Sequence, residues 1–389
     1  MEPLSHVYLD YAATTPLDDR VLEAMLPFFR EHFGNPSSVH TYGQQAEAAI
    51  DAARQAVAER LNARPTAVIF TSGGSESDNL ALRGVALSQR AHTQANHILV
   101  SPVEHPAVLN TARQLEERFG FEVETLPVDA HGRVDPQDVE ASLRPSTALV
   151  SVIYANNEIG TVNPIAEIGK VCRQHRVPFH SDAVQAAAHL PMDVLRDQVD
   201  LLSLGSHKFY GPKGVGALFV RRGTPIQPAQ TGGSQENALR AGTSNVPYIV
   251  GFAEAFKLAQ DHLEAHTQKV LPQRDRIIES VLKTIPRARL TGHSDHRLPN
   301  HASFVFEGID GNTLLMLLDS QGFACSSGSA CKVGSPKPSE VLEAIGLSRT
   351  WTMGSLRVTL GHPTTDAEVS AFLTALPKAV EQARALAAV

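Results

Sequence analysis

The sequence predicts an α/β protein in which helices cover a mostly parallel sheet. Two observations carry this prediction. Short β-rich runs alternate with helical stretches from about residue 45 to residue 220, and the residues with the most reactive side chains stand where the β-rich runs end. After Pro247 the pattern turns helical and then returns to short strands, which indicates a second, smaller α+β domain.

The first part of the chain supplies the strands and helices of the main sheet. Helical apolar spacing covers residues 107–119 and 165–175, with Pro106 and Pro164 near the two starts. Open α/β sheets place ligands at the carboxyl ends of their strands, so we expect the binding site there. The predicted strands are residues 67–70, 97–101, 122–128, 147–154, 177–182, 200–205 and 216–221.

The second part is predicted from later patterns. Short strands are expected at residues 302–306 and 355–360. Thr365-Asp366-Ala367-Glu368 has the form of a capping box and opens a final helix, whose apolar residues are Val369, Phe372, Leu376 and Val380. We predict a large domain at residues 15–261 and a small domain formed by residues 1–14 and 262–389.

Composition excludes several classes of protein. A hydrophobic content of 42% and a charged content of 19% over 389 residues are ordinary for a soluble globular protein. The formal charge of −7, without a basic arm, argues against a nucleic-acid partner. No signal peptide or membrane-spanning run is visible, so we expect a cytoplasmic protein without a membrane partner. No set of metal ligands is predicted.

Lys208 follows a nearly apolar run, residues 199–205, that reads as an interior strand. An amine dehydrated there has a lowered pKa and is nucleophilic, so it can hold an aldehyde as a Schiff base. Asp182, at the end of another strand, could keep a pyridinium nitrogen protonated. Each residue alone is weak support, because a lysine at a strand end is more often a surface residue with a buried stem. Together they suggest pyridoxal phosphate.

A phosphate cradle is the third component of this hypothesis. The strand at 67–70 runs into Gly73-Gly74-Ser75 and then a helix, where backbone N–H groups and the helix dipole would face an anion. The spacing matches neither a P-loop nor a dinucleotide fingerprint, which makes a nucleotide the weaker hypothesis. Alternatively, Ser75 caps the helix with Asp78 as its partner, and capping can coexist with phosphate binding.

Motifs along nearly the whole chain carry a family resemblance. They are residues 8–16, 34–38, Glu104-His105, 156–160, 240–243 and Ser326-Ser327-Gly328-Ser329-Ala330-Cys331. With these motifs the chain resembles the class V aminotransferases, a family of pyridoxal-phosphate enzymes, and within it the cysteine desulfurases similar to NifS and IscS. The resemblance implies the aspartate aminotransferase-like fold type I of pyridoxal-phosphate-dependent transferases.

The resemblance implies roles around the cofactor ring. Lys208 would form the Schiff base and take the substrate α-proton once it is freed. Asp182 would pair with the pyridinium nitrogen and Gln185 with the phenolic oxygen. His105 would lie flat on the ring and pass protons, although a histidine before Pro106 is equally explained as a helix-start residue.

Phosphate contacts are also implied by the resemblance. They carry over to Gly74, Ser75, Gly205, Ser206, His207 and Thr243. The family usually has a serine three residues before the lysine, whereas this chain has Gly205 there and Ser206 one position later. Residues 232–238 depart as well, because the family tends to have a third glycine and Arg-Gly in that stretch. In the family the residue equivalent to Thr243 reaches across from a neighbouring subunit, so a symmetric homodimer is implied.

The implied substrate is L-cysteine. Arg357, in the Ser-Leu-Arg strand, would bind its carboxylate, because a guanidinium matches a carboxylate bidentately. Asn157 would contact both cofactor and substrate, and Asn35 would assist. Cys331 matches the family nucleophile, whose thiolate takes the substrate's sulfur as a persulfide and leaves alanine. The small, polar residues around it would let the persulfide swing out to an acceptor.

The other two cysteines are expected to be structural. Cys172 stands on a helical run and is read as packing, and Cys325 is read as buried, although it could instead resolve the persulfide or form a disulfide with Cys331. Three cysteines are an odd number, so at least one thiol stays free.

Two alternatives keep the cofactor: an aminotransferase, which needs no cysteine on that loop, and a selenocysteine lyase. A catalytically idle scaffold for iron–sulfur cluster assembly is a third, from another class. The sulfur acceptor, whether an iron–sulfur scaffold, a tRNA-modifying enzyme or another sulfur carrier, is not identified by the sequence.

Overall fold

The structure is a computed structural model that describes residues 6–327 and 338–387. The helices are α1 (Asp19–Met25), α2 (Pro27–Arg30), α3 (Thr41–Arg60), α4 (Gly74–Thr93), α5 (Pro106–Phe119), α6 (Pro136–Ser142), α7 (Ile165–His175), α8 (Val246–Asp261), α9 (Leu263–Thr284), α10 (Gly311–Asp319), α11 (Glu340–Ala344), α12 (Arg349–Thr352) and α13 (Asp366–Ala387). The strands are β1 (Val7–Tyr8), β2 (Val68–Thr71), β3 (His97–Val100), β4 (Glu122–Thr125), β5 (Thr147–Ser151), β6 (Phe179–Asp182), β7 (Leu201–Gly205), β8 (Gly216–Val220), β9 (Ala288–Leu290), β10 (His301–Phe306), β11 (Phe323–Ala324) and β12 (Ser355–Thr359).

The main sheet of the described residues has seven strands in the order β2-β8-β7-β6-β5-β3-β4. The pairs from β7 through β6, β5 and β3 to β4 are parallel, and β8 runs antiparallel to both of its neighbours. Strands β5 and β7 are buried along their whole length, as expected for parallel strands covered on both faces. The predicted mostly parallel sheet with flanking helices is confirmed.

Each predicted strand of this sheet is present, but some end earlier than predicted. The run predicted at 122–128 ends at Thr125, two residues before Pro127, which lacks the N–H that a strand ladder uses. The run predicted at 147–154 ends at Ser151, and the chain beyond it leads into the turn at 156–160. Helix α5 begins at Pro106 and ends before Gly120, whose positive φ of 67° suits a glycine at a helix C-terminus.

A smaller antiparallel sheet, with β10 between β12 and β9, packs with α9, α10 and α13. The predicted capping box at the start of α13 is confirmed, because the Glu368 carboxylate accepts from the Thr365 N–H at 2.7 Å and the Glu368 N–H donates to Thr365 Oγ1 at 3.2 Å. Strand β9 and the parallel pair β1–β11 were not predicted, since each is only two or three residues long.

We propose that the chain divides into the two domains predicted from the sequence. Helix α8 packs in the apolar core of the main sheet through Phe252 and Phe256. Val270 of α9 instead packs in a second apolar cluster with Phe304 and Phe372, and Leu9 from the N-terminal end joins that cluster. In the part of the chain that the structure describes, no helix combines the length and apolar composition needed to span a bilayer.

Candidate cofactor and substrate site

A cavity of about 300 Å³ lies at the carboxyl ends of the central strands. Asp182 is the last residue of β6, and Lys208 stands in the short 3-10 turn that follows β7. His105 follows β3, and Asn157 follows β5. These parallel strands are neighbours in the sheet, so their following residues converge. The predicted residues that line the cavity are Gly74, Ser75, His105, Asn157, Asp182, Gln185, His207, Lys208 and Arg357.

Lys208 is held against the N-terminal motif. Its Nζ atom donates hydrogen bonds to the carbonyl oxygens of Ala12 and Ala13, both at 2.7 Å. Burial and the charge of Arg357 lower the pKa of Lys208 to about 8, while Asp182 and Asp10 act in the opposite direction. A substantial fraction of this amine is therefore neutral near physiological pH and able to attack an aldehyde.

Asp182 is a buried carboxyl group. Its Oδ1 atom accepts a hydrogen bond of 2.9 Å from the Val184 N–H. Burial raises the pKa of Asp182, although the charges of His105 and Lys208 and the bond from Val184 act against this. A buried carboxylate of this kind needs a positive partner, and a protonated ring nitrogen would supply one.

Two acidic residues near Asp182 were given no role at the site by the sequence, which placed Glu104 in a family motif and Asp78 in a helix cap. Glu104 and Asp78 are 2% and 1% exposed. Burial and the charge of Asp182 raise the pKa of both groups well above the usual carboxyl range, which favours their neutral forms. Asp78 lies on α4 and Glu104 in the turn after β3. Their burial depends on packing against the sheet, so no local sequence pattern indicates that they lie near Asp182.

Asp78, His105 and Asp182 each place a possible metal-ligand atom within 4.8 Å of the others. Such a group could hold a divalent cation, which the sequence analysis did not predict. A cationic ring nitrogen would meet the same need for positive charge. The adjacent Lys208 amine matches an aldehyde, which a metal site does not require, so the residues present fit pyridoxal phosphate better than a metal ion.

His105 combines both explanations given by the sequence. It is the N-cap of α5, and its Nδ1 atom accepts a hydrogen bond of 3.1 Å from the Ala107 N–H. Acceptance at Nδ1 places the proton of the neutral ring on Nε2. Burial lowers the pKa of His105, which favours the neutral ring, while the charge of Asp182 acts in the opposite direction. The capping hydrogen bond therefore fixes the orientation of the His105 ring at the cavity and the tautomer of its neutral form.

The cradle is formed by the turn from β2 into α4. A Cβ atom on Gly74 would lie 2.6 Å from Val184 Cγ2, so this position favours glycine. The alternative in which Ser75 caps α4 with Asp78 is wrong, because the N-cap is Gly73 and no side chain among the described residues caps the helix. The first N–H groups of α4 remain available to an anion.

The residues before Lys208 fit the predicted phosphate contacts unevenly. His207 lines the cavity, and its Nδ1 atom lies 3.2 Å from Thr14 Oγ1. Gly205 lies behind the cradle, since a Cβ atom there would be 3.5 Å from the Gly74 nitrogen. The Ser206 hydroxyl instead faces Gly211, where a Cβ atom would come within 1.9 Å of Oγ. The described lining residues do not include Gly205 or Ser206, so the structure does not bring the shifted serine hydroxyl into the cavity.

Arg357 lies on β12 and lines the same cavity as Lys208. Its guanidinium donates to Asp10 Oδ1 at 2.7 Å and to the Asn157 carbonyl oxygen at 3.0 Å. The third nitrogen, Nε, is buried and has no hydrogen-bond partner within residues 6–327 and 338–387. A guanidinium fixed in this way at the wall of the cavity suits a carboxylate ligand. Asp10 belongs to the N-terminal motif, but the sequence analysis gave it no role.

Asn35 and Thr243 do not line the cavity formed by the described residues of one chain. Both are exposed at the surface. The Asn35 side chain accepts a hydrogen bond of 2.9 Å from the Ser37 N–H.

Cys331 lies outside the described residues. The chain approaches it from the rim of the cavity, because Ser326 and Arg357 exchange backbone hydrogen bonds of 3.3 and 2.7 Å. Cys172 is fully buried on α7, and Cys325 packs against the apolar cluster of the smaller sheet. Burial raises the pKa of both thiols, so neither is a ready nucleophile.

Comparison with known proteins agrees with this geometry. Residues 7–372 match the family described as Aminotransferase class-V. The cysteine desulfurase IscS of Methanosarcina thermophila is 46% identical over 378 residues, which cover 97% of this chain and 93% of that protein. A solved NifS-like protein superposes with a TM-score of 0.90 at 36% identity, covering 97% of this chain and 100% of that one. A structure described as SspA in complex with cysteine has a TM-score of 0.79 and 38% identity, over 91% of this chain and 98% of that one.

The chain belongs to the class V aminotransferase family. Its fold is that of the NifS-like members, in which a mostly parallel sheet is flanked by helices.

Proposed function

We propose that this protein is a cysteine desulfurase that uses pyridoxal 5′-phosphate to convert L-cysteine into L-alanine, with transfer of the sulfur to a protein acceptor. The main observation behind this proposal is that three residues line one and the same cavity: Lys208, the buried Asp182 and Arg357. Near full-length similarity to proteins named cysteine desulfurase supports the same activity.

The cofactor would be held by the cradle at Gly74 and Ser75, with Asp182 at its ring nitrogen and His105 on its ring face. Gln185 lines the same cavity, and its amide donates to the Ala12 carbonyl oxygen at 2.7 Å. When bound, pyridoxal phosphate supplies an electron sink for the substrate carbon next to the amine.

Lys208 moves the proton of the reaction. As a free amine, its Nζ atom has a pKa lowered to about 8, which would suit removal of the substrate α-proton. The carbonyl oxygens of Ala12 and Ala13 hold that atom in place. Arg357 binds the substrate carboxylate and is oriented by Asp10 and the Asn157 carbonyl.

Cys331 accepts the sulfur. Its thiolate attacks the substrate sulfur, so that an S–S bond forms while the Cβ–S bond breaks and its electron pair stays with the substrate carbon. Protonation of that carbon and return of a proton to the α-carbon then give alanine. Cys331 lies four positions after Ser327, the last described residue before it.

A homodimer would complete the site, with Thr243 of each subunit reaching the phosphate of the other. An exposed apolar surface supports this interface: Phe33 and Val39 are 69% and 90% exposed, and the Phe33 ring lies 5.6 Å from that of Tyr42. The surface includes Phe29, whose ring contacts that of Tyr248 on α8, the helix that begins three residues after Thr243.

The shared site is tested by mixing two variants at a pyridoxal phosphate concentration too low to occupy a site that lacks Thr243. Lys208→Ala subunits keep Thr243, and Thr243→Val subunits keep Lys208, so a mixed dimer contains one complete site. Activity that appears only on mixing supports the shared site, and an inactive mixture contradicts it.

The acceptor is proposed to be a protein of iron–sulfur cluster assembly or another sulfur carrier, including one that serves tRNA thiolation, and a cytoplasmic location stays a prediction. The activity itself is tested by measuring alanine and sulfide released from L-cysteine with a reducing agent, at matched cofactor occupancy. Equal amounts of both products, lost in Cys331→Ala, support the desulfurase. Activity that persists in that variant, or transamination alone, favours the aminotransferase.

A further inference from the structure

Residues 236–240 are fixed to the phosphate cradle of their own chain at two points. The Glu236 carboxylate receives two hydrogen bonds from Arg54, at 2.8 and 2.7 Å, and one from the Phe70 N–H at 2.9 Å. The Glu76 carboxylate receives one from Arg240 at 2.9 Å and one from the Ser72 N–H at 2.7 Å. We call the pair Arg54–Glu236 the first clamp and the pair Glu76–Arg240 the second clamp.

Both clamps act on the segment that leads into Gly73 and Gly74. β2 is the edge strand of the main sheet, and Glu236 takes its Phe70 N–H while Arg54 donates to the Val68 carbonyl oxygen. An edge strand needs partners for its outward-facing backbone groups, and the first clamp supplies them. The Glu236 side chain is only 6% exposed, so its bonds to Arg54 are shielded from water.

The backbone of the turn that carries Glu236 is strained. Glu236, Asn237 and Ala238 all have positive φ angles, of 48°, 57° and 60°. Residues other than glycine rarely adopt this left-handed conformation, and three in succession are stable only when surrounding contacts hold them. The turn directs Glu236 toward β2 and, two residues after Ala238, Arg240 toward α4.

We propose that Glu236 is a positioning residue whose clamp joins the phosphate cradle of one subunit to the Thr243 segment that completes the cradle of its partner. The inference rests on the proposed homodimer with Thr243 shared across the interface. Thr243 follows Arg240 by three residues, so a displacement of the clamped turn reaches Thr243 directly. The two phosphate sites of the dimer are thus connected through Phe70, Glu236 and Thr243 of each chain.

The test compares Glu236→Gln with three other variants in the full-length protein. Thr243→Val reports the shared contact itself, and Arg240→Gln removes only the second, more exposed clamp. Asp261→Asn is the matched control, because it removes an arginine partner at an exposed ion pair, with Arg60, that does not touch the cradle. The measurements are the dissociation constant for pyridoxal phosphate, followed by its absorbance on adding it to cofactor-free protein, the dimer dissociation constant and Tm.

We expect Glu236→Gln to weaken pyridoxal phosphate binding by about tenfold, in the same direction as Thr243→Val, while Asp261→Asn has no effect. Arg240→Gln should give a smaller change in the same direction. A fall in Tm with unchanged cofactor affinity in both clamp variants would show a purely structural role and overturn the proposal.

Mixed dimers distinguish failure of this proposal from failure of the proposed shared site. In a dimer of one wild-type chain and one chain that carries both Lys208→Ala and Glu236→Gln, only the wild-type chain keeps Lys208. The cofactor affinity of the site on the wild-type chain should be lower than in a mixed dimer whose other chain carries only Lys208→Ala. If this affinity is unchanged while mixing Lys208→Ala with Thr243→Val restores activity, the clamp proposal is overturned and the shared site stands. If that mixing fails to restore activity, the shared site itself is overturned.

Discussion

Asp10 and Arg357 form an ion pair of 2.7 Å between residues that are 347 positions apart in the chain. Both side chains are largely shielded from water, at 18% and 7% exposure. The pair sets the direction in which the guanidinium presents its remaining donors to the cavity.

Asp10→Asn should therefore weaken substrate recognition. The amide keeps the shape but loses the charge that holds Arg357, so we expect KM for L-cysteine to rise about tenfold and kcat to change less. Steady-state alanine release measures both constants. If KM is unchanged in Asp10→Asn but rises in Arg357→Lys, the aspartate does not orient the guanidinium.

Cofactor capture should depend on pH through Lys208. Only the neutral amine attacks an aldehyde, and burial, followed by Arg357, lowers the pKa of this amine to about 8. The rate at which cofactor-free protein captures pyridoxal phosphate should rise from pH 6 and level off above about pH 8, well below the ordinary lysine value of about 10.4. Stopped-flow absorbance gives this profile, and a rate that still rises steeply from pH 9 to pH 10 contradicts the lowered pKa.

The same pKa shift affects stability with a definite sign. The folded state releases the Lys208 proton at a lower pH than the unfolded state, so between about pH 8 and pH 10.4 the unfolded state binds more protons. In cofactor-free protein this group's contribution to the free energy of unfolding rises with pH across that window. Lys208→Met should remove this contribution, which chemical denaturation of both proteins at pH 8 and pH 10 measures.

The two acids near Asp182 should behave as neutral groups. Burial raises the pKa of Asp78 and Glu104 and favours their neutral forms, and Asp78→Asn and Glu104→Gln replace each carboxyl by a neutral amide of the same shape. Both variants should bind pyridoxal phosphate with a wild-type absorption spectrum, whereas Asp182→Asn should shift the spectrum and lower kcat at least about a hundredfold. A spectral shift in Asp78→Asn as large as that in Asp182→Asn would mean that Asp78 carries the charge.

Ala238 offers a direct test of the strained turn. Its φ of 60° is costly for alanine and free for glycine, so Ala238→Gly should stabilise the protein by about 0.5–1 kcal/mol, with cofactor affinity unchanged. Denaturant unfolding measures the difference. Gly120 provides the opposite substitution in the same chain: at its φ of 67°, Gly120→Ala should destabilise the protein by a similar amount. No gain in stability in Ala238→Gly would show that the turn is not strained.

The strand-end residues could be predicted from sequence because their position follows from local patterns. The apolar run before Lys208 and the strand before Asp182 lie in adjacent parallel strands, whose carboxyl ends meet at one edge of the sheet. His105 could be predicted as a helix-start residue, since Pro106 marks the first turn of α5.

Other parts of the site depend on contacts that no local pattern encodes. Asp10 meets Arg357 only because the N-terminal segment runs beside β12, where Asp10 bridges Thr359. The left-handed turn at Ala238 could not be predicted either, since alanine shows no preference for positive φ and the conformation is held by Glu236 and its distant partner Arg54.

The central claim is that substrate sulfur passes to Cys331, and it is tested most directly by a single turnover without a reducing agent. One equivalent of L-cysteine per site should yield one alanine and add the mass of one sulfur atom to the peptide that contains Cys331, in a form that dithiothreitol removes. Alanine released with the sulfur on Cys325, or with no sulfur bound to the protein, would contradict the account.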